Sequence, residues 1–150
     1  MARFRGKAHH RMDAKGRVSL PAKYRTKLAA SELVIVPGVD NCLWLYTEEE
    51  HERLIEPLEQ NPFDTAMDKL RDLFIADAED LEVDSAGRIR VSAQHRQYAN
   101  LTKEVTIVGT GKRLELWDTN DYQQRLQGID REQALQALSG KLSADTASSD

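Results

Sequence analysis

Hydrophobic and polar residues alternate in two short stretches of the chain. Residues 17–20 read Arg-Val-Ser-Leu, and residues 88–91 read Arg-Ile-Arg-Val. A period of two predicts strands with the aliphatic side chains on a buried face and the arginines on the opposite face. Apolar runs joined through Gly-containing loops predict two hairpins, 33–36 with 43–46 and 104–108 with 114–117. The pattern therefore predicts short strands in antiparallel pairs.

Helical segments are expected between these strands. A short helix should follow each alternating stretch, because Pro21 suits a first helical position and Ser92 suits an N-cap. Residues 47–50, Thr-Glu-Glu-Glu, have the pattern of a capping box, and Asp118 occupies the place equivalent to Thr47 in the second half of the chain. These signals predict that each half ends in a helix.

Between the halves, Asn61-Pro62 breaks the chain, and a new helical pattern follows. Met67, Leu70 and Phe74 recur at helical spacing, and we expect them to pack in the core between the halves. The segment from Ser139 onward is small, polar and rich in Ser, Ala and Asp, which predicts a disordered tail.

An internal repeat relates the two halves of the chain. A shift of 71 residues aligns them without a gap and gives nine identities over residues 13–46. The best-matched segment places Asp-Ala-Lys-Gly-Arg-Val, residues 13–18, over Asp-Ser-Ala-Gly-Arg-Ile, residues 84–89. Such self-similarity indicates a tandem duplication of a short module. The predicted organisation is module 1 at residues 1–54, a linker with a helix at 55–80, module 2 at 81–126, and a C-terminal helix with the disordered tail at 127–150.

The repeated motif Asp-x-x-Gly-Arg is typical of a tight turn. Asp13 and Asp84 take the first position of a type I turn, where an aspartate side chain bonds its own backbone two residues on. Gly16 and Gly87 take the fourth position and supply a positive φ that reconnects the strands. We also expect each aspartate to hold the arginine of its motif by a charge-assisted hydrogen bond.

Charge is distributed unevenly along the chain. The net charge is −4, but residues 1–27 hold nine Lys and Arg against one acidic residue, Asp13. Residues 84–103 carry a further +3, which leaves −15 on the rest of the chain. This asymmetry would attract a polyanion to one face and repel it from the remainder. The distribution therefore favours a polyanion such as double-stranded DNA as the partner, and a pair of solvated charged loops is the alternative reading of the same charges.

Two roles are predicted for the basic side chains. Arg17 and Arg88 stand at matched points of the two motifs and can present the planar fork that reads guanine O6 and N7. The alternative is that each arginine only forms a salt bridge to the aspartate of its own motif, an Asp–Arg clamp within the protein. Both roles can coexist. The remaining predicted DNA ligands would contact phosphates without reading sequence: Arg3, Arg5, Lys7, Arg11 and Lys15.

Catalysis is not expected from this sequence. His9, His10 and Asp13 lack a second cluster that would complete a metal site, and the chain has no phosphate-binding Gly-rich loop and no nucleophile elbow. We therefore predict no enzyme activity, no metal, no cofactor and no small-molecule substrate. A single cysteine, the lack of a long apolar run and the lack of an apolar N-terminal stretch predict a soluble cytoplasmic protein with no membrane association.

Several motifs resemble those of the MraZ family over residues 3–126. In the first half these are Phe-Arg-Gly at 4–6, His-Arg-Met-Asp-Ala-Lys-Gly-Arg at 10–17 and Leu-Pro-Ala-Lys-Tyr-Arg at 20–25. The second half has Glu-Val-Asp-Ser-Ala-Gly-Arg at 82–88, Leu-Thr-Lys-Glu-Val at 101–105 and Leu-Glu-Leu-Trp at 114–117. Met12 stands where the family usually has leucine, and Ser92 where it often has proline.

The resemblance implies the α+β fold of the family, with two tandem AbrB-like swapped-hairpin β-barrel modules, short helices and a pseudo-two-fold internal repeat. It also implies a nucleoid-associated transcriptional regulator that assembles into a homo-oligomeric ring. Such regulators bind short direct repeats upstream of their own operon, the division and cell-wall cluster. An AbrB-like antitoxin and a structural assembly protein without DNA reading are the alternatives.

Ring formation also provides an explanation for the apolar strands. Residues 33–36 are aliphatic, as are residues 105–108 apart from Thr106, and we expect the edges of these two strands to need partners that neighbouring subunits could supply.

Overall fold

A computed structural model describes residues 3–148, with side chains described as far as residue 145. Its strands are β1 (Phe4–Arg11), β2 (Arg17–Ser19), β3 (Leu33–Pro37), β4 (Leu43–Thr47), β5 (Glu79–Leu81), β6 (Arg88–Arg90), β7 (Glu104–Gly111) and β8 (Leu114–Asp118). They form a six-stranded sheet in the order β1-β7-β8-β4-β3-β5 and a separate two-stranded ribbon of β2 and β6.

Helices connect the strands much as the sequence predicts. Thr47 Oγ1 accepts a hydrogen bond from the Glu50 amide, and Ser92 Oγ accepts one from the His95 amide, so both predicted N-caps are confirmed. Pro21 immediately precedes its helix rather than opening it. The helices are α1 (Ala22–Ala29), α2 (Glu48–Gln60), α3 (Asp68–Arg71), α4 (Ala93–Tyr98), α5 (Thr119–Gln127) and α6 (Arg131–Ser148).

Every strand pairing within the sheet and the ribbon is antiparallel, and several pairings join the two halves of the chain. β1 pairs with β7, β2 with β6, and β4 with β8. The ribbon is closed at both ends by equivalent bonds, from the Leu20 amide to the Gly87 carbonyl and from the Val91 amide to the Gly16 carbonyl. These four residues are related by the 71-residue shift, which gives the ribbon a pseudo-two-fold arrangement. The α+β class with two exchanged tandem copies is thereby confirmed.

The compact units of the structure do not coincide with the copies of the repeat. One unit spans residues 1–119 and the other spans residues 120–150, so both copies contribute strands to the same unit. The module boundaries at residues 54 and 81 therefore stay a prediction about the sequence repeat.

The hydrophobic core joins the ribbon to one face of the sheet. Val18 and Ile89, at the centres of β2 and β6, are buried in the same cluster as Ile35, Leu45 and Leu116 of the sheet. The predicted alternation is confirmed, because the aliphatic residues of the ribbon point inward and leave its other face to polar residues. The core thus fixes which face of the ribbon meets solvent.

The segment between the halves packs through an aromatic residue. Phe74 lies in a π-helical turn, Asp72–Ala76, with its ring centroid 5.3 Å from that of Trp44. His51 of α2 donates a 2.8 Å hydrogen bond to the Phe74 carbonyl. The packing role predicted for this stretch is confirmed for Phe74, while Met67 and Leu70 are only half-buried.

The prediction that two aliphatic strands need partners from other subunits is wrong. β3 lies between β4 and β5, and β7 lies between β1 and β8, so both edges of each strand are already paired within the chain. The sequence did not reveal this because β5 is only three residues long and β1 lies about a hundred residues before its partner.

The predicted disorder from Ser139 onward is also wrong as far as residue 148. These residues continue α6, which begins at Arg131. The reason is helix propagation, because residues 131–138 contain two alanines and two leucines of high helix propensity, and extending an existing helix costs less than starting one. Residues 149–150 of the predicted tail lie outside the described residues.

Candidate nucleic-acid interface

The first turn of the ribbon is organised by the Asp13 carboxylate. The Gly16 amide donates to the Asp13 carbonyl at 3.0 Å, and Gly16 has a φ of +80°. Asp13 Oδ1 accepts from the amides of Lys15 and Arg17, each at 2.9 Å. The Arg17 backbone amide is the main reason that the pKa of Asp13 is lowered, and the Arg17 side chain adds to the effect.

The second turn repeats this arrangement. Gly87 has a φ of +77°, and its amide donates to the Asp84 carbonyl at 3.0 Å. Asp84 Oδ1 accepts from the amides of Ala86 and Arg88, each at 2.9 Å, and the Arg88 amide is the main cause of a lowered Asp84 pKa. Both turns therefore have the geometry that the motif predicts.

The clamp between aspartate and arginine is present in both copies. Arg17 Nε lies 2.6 Å from Asp13 Oδ2, and Arg88 Nε lies 3.0 Å from Asp84 Oδ2. Each contact uses the Nε–H of a guanidinium, which has four further N–H donors on its two Nη atoms. The arginine side chains are 32% and 33% exposed. The clamp orients each arginine and is compatible with a contact to DNA.

Each turn packs against an arginine from the other copy. A methyl group added at Gly16 would lie 2.8 Å from Arg96 Nη1, and one added at Gly87 would lie 2.6 Å from Arg25 Nε. Arg25 Nε also donates to the Leu20 carbonyl at 3.0 Å. Arg25 and Arg96 are related by the 71-residue shift, so this exchange follows the pseudo-two-fold arrangement. Neither arginine was among the predicted site residues. The signal that could have identified them is that both copies of the repeat have arginine at this position.

Three arginines share the outward face of the ribbon. The antiparallel register places Arg17 opposite Arg90 and Ser19 opposite Arg88, while Val18 and Ile89 point into the core. Arg90 is exposed and was also absent from the predicted site. The alternation of residues 88–91 was the signal that could have identified it. With Lys15 exposed in the first turn, the ribbon combines four cations.

The other predicted phosphate ligands belong to the edge of the sheet. Arg5, Lys7 and Arg11 alternate along β1 and are exposed, and Arg3 lies exposed just before that strand. Arg11 forms an ion pair of 3.4 Å with Glu104 on β7. The structure therefore brings Lys15, Arg17 and Arg88 together on the ribbon and places the remaining predicted cations on a different strand.

The backbone of β1 is anchored to α1. Lys23 Nζ donates to the Arg5 carbonyl at 2.9 Å, and the Tyr24 hydroxyl contacts both the amide and the carbonyl of Arg5. The Phe4 and Tyr24 rings meet edge to face at 5.0 Å. These contacts hold the start of the basic strand in place.

The histidines of β1 have bonding environments of their own. His9 Nδ1 lies 3.0 Å from Thr106 Oγ1. The pKa of His10 is lowered by partial burial and, secondarily, by the charge of Arg25. Across the part of the chain that the structure describes, no group of three or more His, Cys, Asp or Glu side chains could hold a metal ion. Over the same residues, no helix is both long and apolar enough to cross a membrane.

The sequence matches one family along nearly its whole length. The model of the family described as MraZ protein, with the further label antitoxin-like, matches twice, at residues 3–73 and 74–140. The chain is 39% identical over 140 residues to the "Transcriptional regulator MraZ" of Marinomonas sp., covering 90% of this chain and 93% of the relative.

Two further relatives with the same name come from other bacteria. The protein of Alkaliphilus oremlandii is 39% identical over 122 residues, and that of Lachnoclostridium phytofermentans is 36% identical over 120 residues. Each alignment covers 80% of this chain and 84% of the relative.

Proposed function

This chain belongs to the MraZ family, and from that premise we propose that it is a transcriptional regulator that binds double-stranded DNA through the β2–β6 ribbon. The observation that carries the proposal is the outward face of the ribbon, where Arg17, Arg88 and Arg90 stand on one side of a strand pair. A two-stranded ribbon fits the major groove, where arginine forks distinguish guanine from the other bases.

The two Asp–Arg clamps favour a role for Arg17 and Arg88 in contacting bases over a role that is purely structural. Asp13 and Asp84 take the Nε–H of their arginines and so fix the direction of each side chain. A planar donor pair that is held before binding loses less side-chain entropy when it meets a base. Each carboxylate takes the Nε–H of its arginine, which leaves the four N–H donors on the Nη atoms as the groups that would contact DNA.

The cations of β1 and of the first turn would contact phosphates. Arg3, Arg5, Lys7, Arg11 and Lys15 are all exposed. The Arg11–Glu104 pair does not oppose this role, because its side chains are 75% and 60% exposed and such pairs contribute little to stability. Phosphate contacts would position the ribbon without adding sequence information.

We extend the proposal to the operator and the assembly. The protein would act in the cytoplasm at the nucleoid, binding short direct repeats upstream of its own operon, the division and cell-wall cluster, as a homo-oligomeric ring. One ribbon offers few base contacts, so joining several copies on neighbouring repeats would supply avidity. The outward face of a single ribbon, only three residues long on each strand, supports this need for several copies.

A footprint on the DNA upstream of the protein's own gene tests the proposal. We expect protection at regularly repeated sites, with affinity that falls steeply as salt rises, because phosphate contacts release counterions. The matched control is Lys141→Ala, which removes an exposed cation of α6, in the compact unit that holds neither turn. No protection at any salt concentration, or protection that does not respond to salt, would contradict the proposal.

An antitoxin is the second candidate, because the family description carries that label. An AbrB-like antitoxin would bind a toxin protein as well as DNA. A purely structural ring would bind neither. Copurification of a stoichiometric protein partner would favour the antitoxin, and ring formation without any DNA binding would favour the structural protein.

A further inference from the structure

The pseudo-two-fold arrangement of the ribbon is complete in its backbone. The two end bonds, the two turns and the two supporting arginines all repeat after 71 residues. A DNA-binding element with full two-fold symmetry presents the same groups to DNA in both directions, and it therefore prefers a palindromic sequence. Whether this ribbon distinguishes the two directions of DNA depends on its exposed side chains.

Those side chains break the symmetry. Ser19 of the first copy corresponds to Arg90 of the second, and Lys15 corresponds to Ala86. Because the strands are antiparallel, Arg90 lies beside the first turn rather than the second. One end of the ribbon thus holds Lys15, Arg17 and Arg90, while the other end holds Arg88 beside Ser19.

Arg90 is placed to act together with Arg17. The two residues are directly opposite in the register, and opposite residues of an antiparallel pair have Cα atoms about 4.5–5.5 Å apart. Both side chains leave the outward face, since their neighbours Val18 and Ile89 are buried. Two arginines on paired Cα positions repel each other wherever their guanidinium groups come close, and an electron-rich acceptor placed between these groups would relieve the repulsion.

The surroundings leave Arg90 available for such an acceptor. Among the residues that the structure describes, no carboxylate lies within ion-pair distance of Arg90. Glu79 borders the same shallow groove as Arg90, but its carboxylate lies 2.9 Å from His95 Nδ1. Arg17, by contrast, is held by Asp13 at 2.6 Å. The pair therefore combines the guanidinium group of Arg17, which is held by an ion pair, with that of Arg90, which is free to adjust its position.

We propose that Arg90 is a specificity-determining residue that pairs with Arg17 and gives DNA reading by the ribbon a direction. The ligand of the pair is a set of guanine O6 and N7 acceptors on adjacent base pairs, at the end of the site that lies under the first turn. The opposite end reads through Arg88 alone. The inference rests on the proposed function, because it assumes that the ribbon binds duplex DNA.

A directional ribbon would also account for binding to direct repeats. Copies of the protein that read DNA in one direction are arranged head to tail along it, so their sites repeat in the same orientation. A symmetric ribbon would bind a site equally well in either direction, so sites that all have the same orientation would not increase its affinity.

The test is selection from a pool of random duplex DNA, with the wild type and four variants of the protein. The wild type should select a site without dyad symmetry, with more guanine at one end. Arg90→Ser makes the exposed strand positions equivalent and should lower affinity for the wild-type site by on the order of 10-fold, with loss of information at the guanine-rich end. Ser19→Arg should add the same preference at the other end.

The double variant, Ser19→Arg with Arg90→Ser, moves the extra arginine to the opposite end of the ribbon. It should select the guanine-rich preference at the end opposite to that of the wild type. Lys15 stays in the first turn in all five forms, so it marks the orientation by its phosphate footprint. Thermal unfolding of each form shows that it is folded, which we expect because positions 19 and 90 are on the outward face.

Arg90→Lys separates base reading from charge. Lysine keeps the positive charge but lacks the planar fork, so it should retain nonspecific affinity and lose the preference at the guanine-rich end. If Arg90→Ser or Arg90→Lys selects the wild-type site with unchanged affinity, the inference is wrong although the proposed function stands. If the wild type selects a palindromic site, the ribbon has no direction. If the wild type selects no site at all, the proposed function itself fails.

Discussion

At each turn of the ribbon, one carboxylate performs two tasks. Asp13 Oδ1 gathers two backbone amides and so shapes the turn, while its Oδ2 holds the guanidinium of Arg17. Asp84 does the same for Arg88. Removing the aspartate would therefore disturb the turn and release the arginine together, whereas removing the arginine leaves the turn intact. The arginine is the position where a DNA contact can be tested separately from folding.

Arg17→Ala is expected to abolish selective DNA binding without unfolding the protein. The side chain is partly exposed and its truncation leaves both amide bonds to Asp13 in place. Loss of a bidentate base contact should weaken binding by on the order of 10-fold or more per subunit. A DNA titration beside thermal unfolding checks both parts, with Lys141→Ala as the charge-matched control. Aggregation or unfolding of Arg17→Ala would show that the clamp serves the fold instead.

Acid should loosen the turns only at low pH. Hydrogen bonds from the backbone amides lower the pKa of Asp13 and of Asp84 below the ordinary value. A carboxylate with a lowered pKa contributes stability that is present above its unfolded pKa and is lost as the pH falls through its folded pKa. Both contributions should therefore be constant from neutral pH to about pH 5 and decline progressively below it.

Unfolding by denaturant at several pH values measures this decline. The double variant Asp13→Asn with Asp84→Asn cannot ionise at either turn, so its stability should fall less than that of the wild type between pH 5 and pH 3. Parallel curves for the two proteins would mean that other carboxylates control the acid response.

At the scale of elements, the basic strand β1 depends on a close approach to β7. The register pairs Gly6 with Gly109, and Gly6 has a φ of +94°. A methyl group at Gly109 would lie 2.4 Å from the Arg5 amide nitrogen and 2.6 Å from the Phe4 carbonyl carbon. These are backbone atoms, which cannot move aside without moving the strand. The position of the β1 cations thus depends on a residue of the other half.

Gly109→Ala is expected to displace β1 and to lower the free energy of unfolding by more than about 2 kcal/mol. Amide hydrogen exchange should show faster exchange along β1, because its hydrogen bonds to β7 weaken. Gly140→Ala is the matched control, since nothing lies within 4 Å of the methyl group it would add. Unchanged stability of Gly109→Ala would show that β1 can shift without cost.

The sequence predicted the secondary-structure elements better than it predicted which strands pair with one another. The turn motif, the N-caps at Thr47 and Ser92, and the hairpins of β3 with β4 and β7 with β8 depend on neighbouring residues, so local patterns were sufficient. The β1–β7 pairing joins residues about a hundred positions apart, and no local pattern encodes it. The local alternation of residues 88–91 indicated that Arg90 is exposed, but its place directly opposite Arg17 follows only from the register of the ribbon.

At the scale of the whole molecule, the two halves of the chain cannot act as independent DNA-binding units. Each strand of the ribbon comes from a different half, and each turn is backed by an arginine of the other half. One chain therefore provides one ribbon. Several chains are needed wherever several sites must be read at once.

Binding is expected to depend on the phase of repeated sites. Copies joined in one assembly reach successive sites only if these lie on the same side of the duplex, so a half-turn insertion should weaken binding sharply. The measurement compares DNA with one repeat, several repeats in phase and several out of phase, beside the solution mass of the protein. Equal affinity for the three DNAs, or a monomeric mass at binding concentrations, would exclude cooperative binding by an oligomer.

The exchanged strands have a genetic consequence. If one copy of the repeat assembled with an identical second molecule, a single codon would specify both positions that are now Ser19 and Arg90, and any change would appear at both ends. Joining the copies in one gene gives each position a codon of its own. Mutation can then alter one end of the ribbon while selection preserves the other. The fused gene could thus evolve a preference for the orientation of DNA that a two-chain ancestor had no means to encode.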